Sequence, residues 1–337
     1  QTCALPICHT DQQSLSWDGP LILGHEGAGW IESIGPNVKG LTVGQPVLLN
    51  WAIPCGQCLP CTNAQSHLCD RTQGFSKESP SVESPHTLWH NQTARRSFNL
   101  GTFSEFTLVR EEALTPLPKS MVMTHACILG CGVMTGVGSV LNSAKVKAGD
   151  SVVVMGCGGV GLSVVQGARI AGAKTIIALD RRDESLARAK SMGATHSWRI
   201  TDEDLELKDA VAHVRSLTDA SGADHAFEAT GKHSLAFAPL KFIRHGGNAL
   251  QLSGAHGDVT ASMLDFWWDK RYLTPLYGGC HPPRDFPKLI HWIEDGQLDV
   301  ASMVTKQYAL DQLQDAMNDM LSGVNIKGVI VFDREKP

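Results

Sequence analysis

Four cysteines stand at Cys55, Cys58, Cys61 and Cys69, a C-x2-C-x2-C-x7-C spacing. Thiolates this close in sequence suit a tetrahedral zinc. Four of them fill its coordination shell and leave no place for a substrate, so the predicted site is structural. Disulfides are the competing reading, but the surrounding chain is not a small secreted scaffold. Three other zinc-binding side chains are dispersed. Cys8 opens the run Cys8-His9-Thr10-Asp11, His25 lies in Gly24-His25-Glu26, and Cys131 lies in Gly130-Cys131-Gly132. Three protein ligands and one open position make a catalytic zinc site. Each residue alone is more often a buried thiol or a satisfied histidine, and their meaning comes from what stands around them.

A third motif is Gly156-Cys157-Gly158-Gly159-Val160-Gly161, which fits G-x-G-x-x-G. The apolar, β-branched run Ser151–Met155 precedes it and suits a strand buried on both faces. Val160–Ala171 reads as a helix with one apolar stripe, and Thr175–Leu179 as a second strand ending at Asp180, nineteen residues after Gly161. In such a unit Gly156 permits the tight turn, Gly158 lets backbone approach a pyrophosphate, and Gly161 lets helix and strand pack closely. The helix N-terminus offers unpaired N–H groups to phosphate, and Asp180 can accept from an adenosine ribose. Arg181 and Arg182 follow directly, where a guanidinium could pair with a 2′-phosphate; they are read as solvated surface charges, and NAD is expected over NADP. The alternative is a glycine-rich turn with no ligand.

The elements around these motifs follow from pattern. The chain has 337 residues, enough for two domains, and a net charge of −5 spread along its length. No basic tract points to nucleic acid, and no apolar run is long enough to span a membrane. The ten cysteines cluster at short spacings in a chain with no secretory signal, which favours metal and a cytoplasmic setting over disulfides. Gln1–Ile7 matches the translation of a common sequencing adapter, so the expectation is a natural chain that begins further upstream. A genuine strand end is the alternative, since Ala4, Leu5 and Ile7 are apolar. The 70–100 stretch reads as a long loop or lobe, with a strand-like segment after Gly101. Leu129–Ala144 reads as one helix carrying Cys131. Beyond Asp180, a helix at Asp183–Met192 and strands at Ala226–Thr230, Asn248–Leu252 and Tyr272–Gly278 continue a βαβα pattern. The prediction is an α/β chain with a doubly wound parallel sheet. Helices at Phe286–Asp295 and Leu310–Leu321 follow, then a strand at Val329–Phe332 that returns to the first domain. The expected division is 1–132 with a zinc lobe at 55–69, 133–276 for the dinucleotide, and 277–337 as the return.

Together the CHTD, GHE, four-cysteine, GCG and GCGGVG motifs resemble the zinc-dependent medium-chain alcohol dehydrogenases, over nearly the whole chain from Cys8 onward. LLNWAIPCGQC and YGGCHPPRDFP resemble the class III-like branch, which includes thiol-dependent formaldehyde dehydrogenases. The resemblance implies a Rossmann domain beside a mostly β, GroES-like catalytic domain, with two zinc ions per chain and NAD. It implies that Cys8, His25 and Cys131 hold the catalytic zinc, that Glu26 sits behind it, and that Asp11 orients His25. Thr10 would bond the substrate hydroxyl, His9 and Lys327 would face the pyrophosphate, and Val160 would pack on the nicotinamide. Cys55, Cys58, Cys61 and Cys69 would hold the structural zinc. A homodimer is the family expectation.

Some positions depart from the family pattern. Gln13 stands where many members place the histidine that ends a proton relay, and an amide cannot take up that proton. The loop between Asp11 and His25 looks shorter than in the glutathione-dependent members and holds Asp18 as its only acid. Gln73 replaces an expected arginine, with Arg71 nearby. Trp51 and Trp17 are read as pocket walls that narrow the channel to a primary alcohol or its aldehyde, with ordinary core aromatics as the alternative. The favoured function is hydride transfer between a primary alcohol/aldehyde pair and NAD. The alternatives are a thiol-dependent formaldehyde dehydrogenase and, from another class, an inactive NAD(P)H-binding sensor.

Overall fold

The computed structural model describes residues 2–4 by their backbone, and 19–69, 87–204, 206–254 and 257–332. The chain divides into two compact units, Gln1–Gly132 with Cys280–Pro337, and Val133–Gly279.

The first unit is built on strands β1 (Thr2–Ala4), β2 (Gly27–Trp30), β3 (Pro46–Leu49) and β4 (Leu114–Pro116). The pairings β1/β2, β2/β3 and β3/β4 are all antiparallel. Thr2–Ala4 forms a strand, while Leu5 and Ile7 lie outside the described residues. β3 is buried throughout, which its PVLL sequence allows.

The second unit carries β5 (Ser151–Met155), β6 (Thr175–Asp180), β7 (His196–Arg199), β8 (Ala223–Glu228), β9 (Ile243–Gln251) and β10 (Arg271–Leu273). They form one sheet in the order β7-β6-β5-β8-β9-β10, every neighbour parallel. This is a doubly wound sheet whose strand order reverses beside β5, where such folds bind dinucleotides. Val152, Val153 and Val154 are fully buried, as a central parallel strand requires. Helix α1 (Gly159–Ile170) leaves the glycine turn after β5, and α2 (Asp183–Ser191) follows β6.

The chain then returns to the first unit with helices α3 (Pro282–Glu294) and α4 (Leu313–Leu321), and strands β11 (Val304–Tyr308) and β12 (Lys327–Val331). The first sheet is therefore six-stranded, in the order β11-β12-β1-β2-β3-β4. The strand at Val304–Tyr308 was not expected: three of its five residues are exposed, so it shows no apolar run.

Three sequence expectations need correction. Leu129–Ala144 is not one helix. A tight turn at Cys127–Gly130 and a helix from Gly132 to Gly138 are separated by Cys131, whose φ and ψ are −146° and −73°. The segment after Gly101 is not a strand; it is tied by Thr102 N to Gly24 O at 3.0 Å and Phe103 N to Leu23 O at 2.9 Å. Tyr272–Gly278 is a strand only as far as Leu273; the tight turn Leu276–Gly279 follows, in which Tyr277 and Gly278 have φ of +56° and +62°. A left-handed backbone cannot continue a strand. Among the described residues no single helix is long and apolar enough to cross a membrane.

Candidate functional site

The four-cysteine cluster forms from a turn, a short helix and a buried end. Gly56 has φ +75° and lets the chain double back after Cys55. Cys61 lies on the Leu59–Thr62 helical turn, and Cys69 is fully buried after Ser66–Leu68. The four sulfurs lie within 4.8 Å of one another. Cys58 and Cys69 sulfurs are 3.8 Å apart. A tetrahedral zinc with Zn–S bonds of about 2.3 Å separates its sulfurs by roughly 3.8 Å, so the donor set fits the ion. The backbone also favours thiolate. Cys58 N donates to Cys55 Sγ and Cys55 N to Cys69 Sγ, each at 3.3 Å. Backbone N–H groups of Gln57 and Cys58 bring the Cys55 thiol down to about 6, while burial pushes Cys61 up to about 12. Sulfurs this close cannot all be anionic without a cation between them.

The second candidate centre lies at the break in the Leu129–Ala144 segment. His25 Nε2 and Cys131 Sγ are 3.3 Å apart across 106 residues of sequence. Two such ligands on one tetrahedral zinc stand roughly 3.6 Å apart, so this pair also fits. The flanking glycines explain how Cys131 reaches that point. A Cβ on Gly130 would lie 2.5 Å from Leu49 O, and one on Gly132 2.7 Å from Lys327 Nζ. Only glycine allows the backbone so close to β3 and to that ammonium. Gly132 N then donates to Glu26 Oε1 at 2.6 Å. Lys327 Nζ lies 3.0 Å from each Glu26 oxygen, and both residues are buried. Burial works against the Lys327 charge, but Glu26 and the Cys131 sulfur outweigh it and hold the ammonium above the ordinary lysine value. The family resemblance implies a pyrophosphate role for Lys327; its ammonium also pairs with Glu26.

Cys8, His9, Thr10, Asp11 and Trp17 lie outside the described residues, as do Gln13, Asp18, Arg71 and Gln73. Trp51 is described and is 4% exposed, with its ring edge-on to Phe98 at 5.1 Å. Phe98 itself stacks on His25 at 4.1 Å. Sequence reasoning gave Phe98 no role. Its backbone is left-handed, φ +56°, an unusual state for a bulky residue and no part of any sequence pattern.

In the second unit the glycine motif has a distinct cause at each position. Gly156 has φ +85°, and a Cβ there would stand 2.9 Å from Ala229 O. A Cβ on Gly161 would lie 1.8 Å from Gly156 O, so helix and turn could not pack. Gly158 differs: a Cβ there meets nothing within 4 Å. Packing within the chain therefore does not explain that glycine, which stands at the N-terminus of α1. Gly158 caps α1, and Gly159 and Val160 form its first turn, both half-buried. Asp180 ends β6 with its Oδ2 accepting from Cys157 N at 2.7 Å and its Oδ1 from Arg182 N at 3.0 Å. The carboxylate is thereby fixed beside the turn with lone pairs to spare. Arg181 forms an ion pair with Asp202.

Comparison with known proteins bears on both centres. Residues 1–119 match the model of the alcohol dehydrogenase GroES-like domain, and residues 159–295 that of the zinc-binding dehydrogenase. The chain is 32% identical over 335 residues to an S-(hydroxymethyl)glutathione dehydrogenase of Synechocystis sp., spanning 97% of this chain and 90% of that protein. The chain belongs to the zinc-dependent medium-chain alcohol dehydrogenases. The same share of each chain is covered by S-(hydroxymethyl)glutathione dehydrogenase of Escherichia coli O1:K1, also 32% identical. Among solved structures, benzyl alcohol dehydrogenase of Acinetobacter calcoaceticus superposes with a TM-score of 0.84 at 29% identity, covering 98% of this chain and 90% of that one. An alcohol dehydrogenase zinc-binding domain protein of Burkholderia ambifaria gives 0.85 at 28%, covering 99% and 90%. As a member of this class III-like branch the chain is a zinc-dependent, NAD-linked oxidoreductase of alcohol/aldehyde pairs. The four-cysteine cluster fits the family's structural zinc.

Proposed function

We propose that this dehydrogenase interconverts a primary alcohol, aliphatic or benzylic, and its aldehyde with NAD. The observation that carries the reading is the approach of His25 Nε2 to Cys131 Sγ at 3.3 Å, with Glu26 and Lys327 buried behind Gly132. Cys8, His25 and Cys131 would hold the catalytic zinc. That ion, when bound, supplies the Lewis acidity that makes an alcohol proton easier to lose. The chain's own residues do the rest. Glu26 fixes Gly132 and so the sulfur beside it, and Asp11 would orient His25. Thr10 would take the hydroxyl proton outward. Phe98, stacked on His25, would press the substrate into one narrow orientation, with Trp51 buttressing Phe98 from behind. Gly158, Gly159 and the first turn of α1 would receive the pyrophosphate with His9, and Val160 would pack on the nicotinamide.

The experiment is zinc analysis of the purified chain together with NAD reduction on primary, secondary and benzylic alcohols. About two zinc ions per chain and turnover of primary alcohols are expected. One zinc or none, without turnover, would favour the NAD(P)H-binding sensor. The relatives named S-(hydroxymethyl)glutathione dehydrogenase favour one second reading, a thiol adduct of formaldehyde as substrate. Turnover of formaldehyde alone, and only with added thiol, would establish it. Cytoplasmic residence is supported by the thiol-rich zinc cluster. A homodimer is supported by Met263, Leu264, Trp267 and Trp268, all more than half exposed, in the residues just before the open edge strand β10.

A further inference from the structure

The carboxyl ends of β6 and β7 carry more charge than an adenosine ribose needs. Asp180 on β6 sits in register with Arg199 on β7, and Arg181 follows Asp180 directly. Both guanidiniums are engaged by acids. Arg181 pairs with Asp202, and Arg199 Nη1 lies 3.2 Å from Asp183 Oδ2 while its Nε donates to Arg181 O at 3.2 Å. Asp180 is itself pinned by Cys157 N and Arg182 N. Two arginines beside the ribose-binding acid are the ingredients of a 2′-phosphate site.

We infer that Asp202 is a positioning residue for cofactor choice, holding Arg181 away from the ribose 2′ position and so reinforcing the preference for NAD that Asp180 sets. The inference rests on the reading that a dinucleotide binds at this edge. Asp180 repels a 2′-phosphate at short range. Asp202 acts through Arg181: it occupies the guanidinium that would otherwise neutralise that phosphate, and it adds a negative charge of its own. Removing Asp180 alone therefore leaves Arg181 committed to Asp202. Removing both frees Arg181 next to an uncharged position. The pair is exposed, 51% and 75% for the two side chains, so the bias it exerts is modest.

Calorimetric binding of adenosine 2′,5′-bisphosphate and of AMP tests this without reference to turnover. The proteins are the wild type, Asp180→Ser, Asp180→Ser with Asp202→Asn, and that double variant with Arg181→Gln. The double variant should bind the bisphosphate about fivefold more tightly than Asp180→Ser, with AMP binding the same within about twofold. Arg181→Gln should erase the gain. The ratio of kcat/KM for NADP to that for NAD should follow the same order. Equal bisphosphate binding by the single and double variants would overturn the inference, and so would a gain that survives Arg181→Gln. Failure of the wild type to bind AMP or NAD would instead refute the dinucleotide reading.

Discussion

Glu26→Gln removes one charge from the buried pair and leaves its shape in place. The Glu26 carboxylate is fully buried, takes two 3.0 Å contacts from Lys327 and one of 2.6 Å from Gly132 N. The amide oxygen of glutamine can still accept from Gly132, so the loss falls on the ammonium. A buried lysine without its anion sheds its proton. At about pH 7 that costs about 1.4 kcal/mol for each unit below the ordinary value near 10.4, a ceiling of about 4.6 kcal/mol. The Cys131 sulfur also favours the ammonium and lowers the cost. The expected loss of stability is about 2–4 kcal/mol, near what removing one partner of a buried pair costs. Its pH dependence has a definite sign. In the native chain Lys327 is raised, so its contribution is complete below about pH 10 and fades as pH rises through the raised value. In the variant, burial outweighs the remaining pull of the Cys131 sulfur and depresses Lys327, and the native state binds fewer protons than the unfolded one. Variant stability then climbs by up to about 1.4 kcal/mol per pH unit toward 10.4, and the gap narrows. Urea unfolding of both proteins at about pH 7, 8 and 9 measures the gap. A gap under about 1 kcal/mol at the lowest pH, or one that stays constant across the series, would refute the reasoning.

The other expectations are as direct. Cys58→Ser should drop zinc from about two ions per chain to about one and lower the urea midpoint, whereas Cys131→Ser should abolish turnover with the fold and the four-cysteine zinc retained; metal analysis and circular dichroism separate them. Gly158→Ala should fold normally and bind NAD at least about tenfold more weakly, because its methyl meets only ligand, while Gly161→Ala should lose stability because its methyl would stand 1.8 Å from Gly156 O; a stable, NAD-tight Gly161→Ala would contradict the packing argument. Phe98→Ala should relax the preference for primary over secondary alcohols more than Trp51→Ala does, read as the ratio of kcat/KM for the two classes, since Phe98 touches His25 and Trp51 is 4% exposed behind it.

The parts of the site legible in the sequence are those whose chemistry is local. The cysteine spacing at Cys55–Cys69 closes on itself within fifteen residues, and the structure gathers the four sulfurs within 4.8 Å. The glycine turn and Asp180 belong to one βαβ unit, so their roles follow from position within it. The parallel sheet was legible because runs such as Val152–Val154 have no polar face to turn outward. The first sheet was harder. Its strands are short, β11 is mostly exposed, and their order depends on pairings between β1, β2 and β12 that lie far apart in sequence.

What the sequence hid are contacts made by tertiary convergence. Phe98 meets His25 because its own backbone turns left-handed, and no periodicity announces that. Asp202 meets Arg181 across two strand ends, where either residue alone reads as a solvated charge. The break at Cys131 is the instructive case, because its signal was present in the sequence as Gly130-Cys131-Gly132. Apolar helical periodicity runs straight through that stretch and predicts one continuous helix. A helix there would carry the sulfur on a regular backbone, with no reason for glycine on both sides. The structure supplies the reason: Gly130 lies against Leu49 O, and Gly132 lies against Lys327 and Glu26. Two glycines flanking a candidate ligand therefore argue for close backbone approach on both sides of it, and that approach breaks the helix at the ligand. The same residues that weaken the helix bring the Cys131 sulfur within 3.3 Å of His25, so local stability was given up at the position where geometry mattered.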